Sequence, residues 1–303
     1  MQRLFWNANE NRLRAGWRVA IQMLWVAIPY VILGLSGFFS DGVLIELKTS
    51  VVGVTLTVSS VVVLGLFVDK RKLTDFGVLL RQKRWWQDYL IGILAGLVGV
   101  SAYVLVLWLA GLAEVGPTLQ YAGSAGHIIS KMLMFLLAYM GVGLFEELMR
   151  IYQVRNLAEG FTNSKGRLFV SLVSAVLIAA LYSVVMHLSN PNPYFLTYVF
   201  ITTTVYGFFY LWTGRSGLAM GMHFFWDFTA SCIFSLGSMA TPTYPAFFYV
   251  LYQPSTPAAM NKAVILGVAG KIAGLLVILL WLKLRDGKIR LTPELTQPTL
   301  KDQ

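Results

Sequence analysis

Eight apolar runs, each about as long as a bilayer is thick, recur along this chain of 303 residues. They cover about 17–38, 48–68, 88–113, 129–156, 167–187, 194–212, 218–238 and 261–283. A helix rises 1.5 Å per residue, so roughly 20 apolar residues cross the ~30 Å hydrocarbon layer. The runs therefore predict an all-α polytopic membrane protein of about eight transmembrane helices. Composition agrees: 57% of the residues are hydrophobic and 13% charged, with a mean hydropathy of +0.66. A soluble domain of this length carries roughly a quarter charged residues.

The placement of charge sets the orientation. Nineteen of the 24 Lys and Arg residues fall in or beside loops on one side of the alternating scheme. Three (Lys48, Lys131, Lys262) fall on the other side, and Arg150 and Lys271 lie within spans. That asymmetry predicts cytoplasmic termini in a plasma membrane of bacterial character. It also explains the net charge of +10 without nucleic acid as a partner. Residues 1–16, with Arg3, Arg12, Arg14, Phe5 and Trp6, read as a cytoplasmic interfacial segment, and no cleavable signal peptide is evident. Residues 17–125 hold the first three spans, 241–285 a loop and the eighth span, and 286–303 a polar, loose cytoplasmic tail. The single cysteine, Cys232, excludes an intramolecular disulfide.

Besides Lys271 in the eighth run, ionisable residues interrupt two others. Glu146, Glu147 and Arg150 lie well inside the fourth, and His223 and Asp227 lie in the seventh. A charge at mid-membrane costs about 2.5–3.5 kcal/mol even on lenient insertion scales, so such residues face a polar cavity or one another. Glu146 and Arg150 are four apart and Glu147 is three from Arg150, which lets one carboxylate pair with the guanidinium while the other stays free. His223 and Asp227, four apart, share a helix face. His187 ends the fifth span. A carboxylate, two imidazoles and a further hydrogen-bonding group can activate water and stabilise the oxyanion of a hydrolysed amide. The same groups could ligate zinc, or simply staple helices together.

The strings Phe145-Glu-Glu-Leu-Met-Arg150, Met186-His-Leu-Ser-Asn-Pro191 and Gly221-Met-His-Phe-Phe-Trp-Asp227 resemble the CPBP (Abi) family of intramembrane proteases, related to type II CAAX prenyl endopeptidases. The family pattern is E-E-x-x-x-R, F-x-x-x-H and H-x-x-x-N/D. Here two residues separate Glu147 from Arg150, and Ser183 stands four before His187. The resemblance implies a catalytic core over 126–240 with catalytic Glu146, Glu147, His187, His223 and Asp227, supported by Arg150. In that scheme Glu146 with His187 activates water, and His223 with Asp227 holds the oxyanion. No cofactor is implied, with zinc as the alternative through His187, His223, Asp227 and Glu146. The partners implied are membrane lipid and a membrane-associated peptide or protein.

Two other readings stay open: an inactive scaffold or binding protein of the same fold, and a proton-coupled transporter. Straight-helix counting places Glu146, His223 and Asp227 roughly 9–15 Å from the cytoplasmic side and His187 nearer 30 Å, so the fifth span has to tilt, start deeper or pack short. Gly34-Leu-Ser-Gly37 and Gly214-Arg-Ser-Gly217 match a serine-protease signature but sit at span ends, where they make turns. Gly267, Gly270 and Gly274 mark close packing of the last span, with Lys271 either neutralising a carboxylate or snorkelling.

Overall fold

The computed structural model describes residues 2–8, 10–40, 44–117, 125–162, 167–236, 246–252 and 256–297. Eight helices carry the fold: α1 Ala15–Leu35, α2 Ile45–Val63, α3 Lys83–Leu109, α4 Ala125–Thr162, α5 Leu168–Met186, α6 Pro193–Thr213, α7 Gly217–Phe228 and α8 Pro257–Asp286. Seven of them, among the described residues, are long and apolar enough to cross a membrane. The chain is an integral membrane protein.

The seventh expected span, 218–238, is shorter than its apolar run. α7 has 12 α-helical residues and continues as a single π turn, Thr229–Ile233. It packs on α3, α4 and α6, and its residues from Gly217 to Met222 are all buried. A helix enclosed by its neighbours takes its length from them and not from the lipid. Part of the expected span, 237–238, lies outside the described residues.

Ends are set by local chemistry. Asn192 caps α6 by accepting from the backbone of Tyr194 and Phe195, with Pro193 in the first turn; Gly214, at φ +64°, closes it. α3 stops short of the expected 113 because Gly111, at φ +63°, turns the chain. Ala113–Pro117 then forms β3 of a short antiparallel pair with β4, Phe248–Tyr252, while β1 (Trp6–Asn7) pairs with β2 (Arg12–Leu13). These strands are the departures from a purely helical expectation.

Small residues let α3, α7 and α8 meet almost backbone to backbone. A Cβ added at Gly221 would fall 2.1 Å from the Tyr89 carbonyl oxygen, and one at Gly92 would fall 2.5 Å from that of Leu218. The expected glycine face of the last span behaves the same way: a Cβ at Gly270 would lie 2.5 Å from the Gly99 oxygen.

Both described ends of the chain are bound to the same end of the bundle. Arg12 and Arg18 each donate to Glu159 Oε1 at 2.7 Å, and Arg12 also donates to the Asp69 carbonyl. Arg71 pairs with the same glutamate. At the other terminus the loose tail is corrected as far as 297. Thr292 donates its backbone N–H to Leu211, Leu295 is buried with α4 and α5 at its back, and Arg155 donates to Gln297 O. An apolar residue in a polar stretch found an apolar slot.

Candidate active site

α4 is continuous through the acidic pair and runs past the expected end at 156 to Thr162. Glu147 faces the protein. Its side chain is 1% exposed, and one oxygen, Oε1, takes both the Arg150 guanidinium and the Nδ1–H of His223 at 2.7 Å. Glu146 is turned by one residue, about 100°, and is 19% exposed on a cavity of about 190 Å³. One carboxylate is paired with the guanidinium and the other is not, as the spacing predicts.

His223 comes from α7. Glu147 accepts from Nδ1, so Nε2 faces the cavity, 3.4 Å from Asp227 Oδ2 and 3.8 Å from Glu146 Oε2. Three carboxylates from two helices therefore surround one imidazole. Its flat face is covered by Tyr206 of α6, with ring centres 5.2 Å apart. The Arg150 guanidinium lies 5.7 Å from the centre of the same Tyr206 ring.

His187 is the C-cap of α5 and lines the same cavity. Its Nδ1 donates to its own helix, to Ser183 O at 2.8 Å, and its ring leans on Phe195 at 6.0 Å. Among the described residues it makes no hydrogen bond or ion pair with either glutamate. Phe195 and Tyr206 stand eleven residues apart on α6, roughly 16 Å of rise, so the cavity is elongated along that helix. His187 belongs to one end of it and His223 to the other. The depth mismatch expected from the sequence is eased because α4 extends to Thr162, which moves Glu146 further from the end of its helix.

The residue four before His187 gives the cavity no aromatic wall. Ser183 contributes its carbonyl, and Tyr182 is buried beside Val26 and Met149. The walls come from α6 and α7 instead, through Phe195, Tyr198, Tyr206 and Trp226. No sequence signal separates these aromatics from their neighbours. Lys271 also reaches the cavity, bonded to Tyr206 at 2.8 Å. It neither snorkels nor, among the described residues, pairs with a carboxylate.

A tetrahedral zinc site needs three protein donors about 2.0–2.2 Å from one point. Among the described residues no three His, Cys, Asp or Glu side chains converge in that way. His223 Nδ1 and His187 Nδ1 are engaged by Glu147 and Ser183, which leaves Nε2 of each ring for the cavity.

Residues 128–229 match the family model for Rce1-like type II CAAX prenyl endopeptidases. The matched stretch runs from the first turn of α4 into the π turn after α7 and contains Glu146, Glu147, Arg150, His187, His223 and Asp227. This is the group to which the motifs point, and at family level it is one of membrane proteases. No curated protein and no solved structure matches the chain.

Proposed function

We propose that the protein is an intramembrane endopeptidase that hydrolyses a peptide bond of a membrane-associated substrate. The observation that carries this reading is the Glu147–His223 bond, which leaves Glu146, Asp227 and the imidazole Nε2 on one polar cavity between membrane helices. Glu146 takes a proton from water. The hydroxide oxygen attacks the carbonyl carbon, and the protonated His223 donates from Nε2 toward the resulting oxyanion beside Asp227. Glu146 then returns its proton to the leaving nitrogen as the C–N bond breaks. His187, at the far end of the cavity, assists water activation through Nε2 by way of bridging water. Arg150 holds Glu147 in its charged form and so keeps the imidazole fixed.

The shortened first motif can be aligned with the family in two registers, on the glutamate pair with Glu146 as the base or on Arg150 with Phe145 in that place. The pairing of Arg150 with Glu147 supports the first. Both described termini meet one end of the bundle, and the charge distribution supports placing that end in the cytoplasm of a bacterial plasma membrane. Lipid and a laterally delivered peptide are the partners.

The test is cleavage of a quenched fluorescent membrane-anchored peptide, with and without a prenylated cysteine, by purified protein in proteoliposomes. Glu146→Gln should abolish turnover while the fold persists. A pH-driven flux with no cleavage of either peptide would instead establish the transporter, and unchanged cleavage by Glu146→Gln would remove the assigned base.

A further inference from the structure

One cation borders the cavity without a part in the scheme above. Lys271 lies on α8, outside the stretch matched by the family model. Its position follows from its neighbours: Gly270 and Gly274 press α8 against the backbone of α3 at Gly99 and Ala95. The lysine between them is thereby aimed at α6 and α7. Lys271 is 2% exposed, its Nζ donates to the Tyr206 hydroxyl at 2.8 Å, and it sits 3.3 Å from the centre of the Trp226 ring. Both aromatic residues line the cavity with Glu146, His223 and Asp227.

An ammonium has three N–H donors. Tyr206 accepts one and the Trp226 face attracts the charge as a cation–π contact, which leaves a donor for the cavity. Among the described residues Lys271 has no ion-pair partner, and a buried lysine is costly to charge without one, so an anion arriving in the cavity is the partner it lacks. The reaction itself supplies one. Amide hydrolysis puts negative charge on the carbonyl oxygen, while an ionised Asp227 can only accept hydrogen bonds and repels that charge. An asparagine at 227 would donate; the aspartate does not.

We propose that Lys271 is the cationic donor that, with His223, stabilises the tetrahedral oxyanion, replacing the donor that Asp227 lacks. The inference rests on the endopeptidase reading. As the water oxygen bonds to carbon, the C=O π pair moves to oxygen, which accepts from Lys271 Nζ. When the C–N bond breaks the pair returns, and Lys271 ends with the protons it began with.

The experiment uses the full chain in proteoliposomes, the quenched peptide, and a phosphonamidate analogue of that peptide whose anionic tetrahedral oxygens mimic the intermediate. Lys271→Met should lower kcat by about 10²–10³-fold with KM within about threefold, the loss typical of one oxyanion donor. Calorimetric affinity for the phosphonamidate should fall by a similar factor. Adding Asp227→Asn to Lys271→Met should recover at least about tenfold of kcat, because the amide donates. Lys271→Gln, which keeps an N–H donor without the charge, gives an intermediate kcat and serves if the methionine variant does not fold. Wild-type kcat and analogue affinity in Lys271→Met would overturn the proposal. So would a second substitution that restores thermal stability but not kcat. A wild-type protein that cleaves nothing sinks the endopeptidase reading. Analogue binding then still reports on Lys271, and its insensitivity to Lys271→Met overturns the inference separately.

Discussion

Glu147 Oε1 lies 2.7 Å from His223 Nδ1 and takes the Arg150 guanidinium on the same atom. One buried carboxylate thus neutralises a cation on its own helix and fixes an imidazole on another. The next residue, Glu146, is left to the cavity. Two adjacent glutamates have different jobs because a helix turns about 100° per residue.

That difference can be read out. Glu146→Gln should keep stability within about 0.5 kcal/mol of wild type, as expected away from buried pairs, and lose turnover. Glu147→Gln leaves the Arg150 guanidinium, 3% exposed, without its partner. It should cost about 3–5 kcal/mol of stability. Thermal unfolding in detergent and peptide cleavage, measured on both variants, separate the two roles. Equal stability losses would mean that the register is wrong.

The close crossing of α3 and α7 sets where His223 points. A Cβ at Gly221 would lie 2.1 Å from the Tyr89 carbonyl oxygen, which has no rotamer to yield. Gly221→Ala should destabilise by about 1–3 kcal/mol, and a shift of α7 of about 1 Å should lower kcat by about 10²-fold. Gly34→Ala, in α1 with nothing within 4 Å of the added carbon, is the control and should be neutral or slightly stabilising. A neutral Gly221→Ala would show that the helices can separate without consequence.

Local features of this architecture were legible in the sequence. Apolar run length gave the spans, four-residue spacing gave the shared face of His223 and Asp227, and the glycines of 267–274 gave the close packing of the last helix. Features that depend on which segments meet were not. Arg12, Arg18, Asp69, Arg71 and Glu159 come from three distant stretches, and no spacing relates them. Tyr206 is one aromatic in an apolar run rich in aromatics until His223 stacks on it. Lys271 could be read as neutralising or snorkelling, and its actual partners, a phenol and an indole, become visible only once α6 and α7 pack beside it. The short α7 was hidden because a buried helix and a lipid-facing one have similar apolar runs.

The charged cluster at the bundle's end should respond unequally to its members. Glu159 serves Arg12, Arg18 and Arg71 together, so Glu159→Gln removes a shared anion from three buried guanidinium groups, of which Arg12 keeps Glu10 and Arg18 keeps Asp69. Burial, followed by repulsion from Arg155, Arg12 and Arg18, pushes the Arg71 pKa down to about 9, so its charge is poorly compensated there. Arg71→Met should therefore cost about 1 kcal/mol or less, as replacing a buried ion by an apolar side chain often does, against about 3–5 kcal/mol for Glu159→Gln. Unfolding midpoints of the two variants give the comparison. The reverse order would mean that Arg71 carries the pairing.

His187 is held in one tautomer. Because the Ser183 carbonyl can only accept, Nδ1 carries the hydrogen at 2.8 Å and the neutral ring keeps its Nε2 lone pair for the cavity. If it helps draw a proton from water, His187→Ala should lower kcat by about 10²–10⁴-fold, the usual contribution of a positioned acid–base group. The ring is half-buried beside Phe195, so free imidazole has a path to the vacated space and should restore part of the rate in a concentration-dependent way. A helix cap would behave differently. Its loss would lower the unfolding midpoint, leave kcat per folded molecule unchanged, and show no response to imidazole.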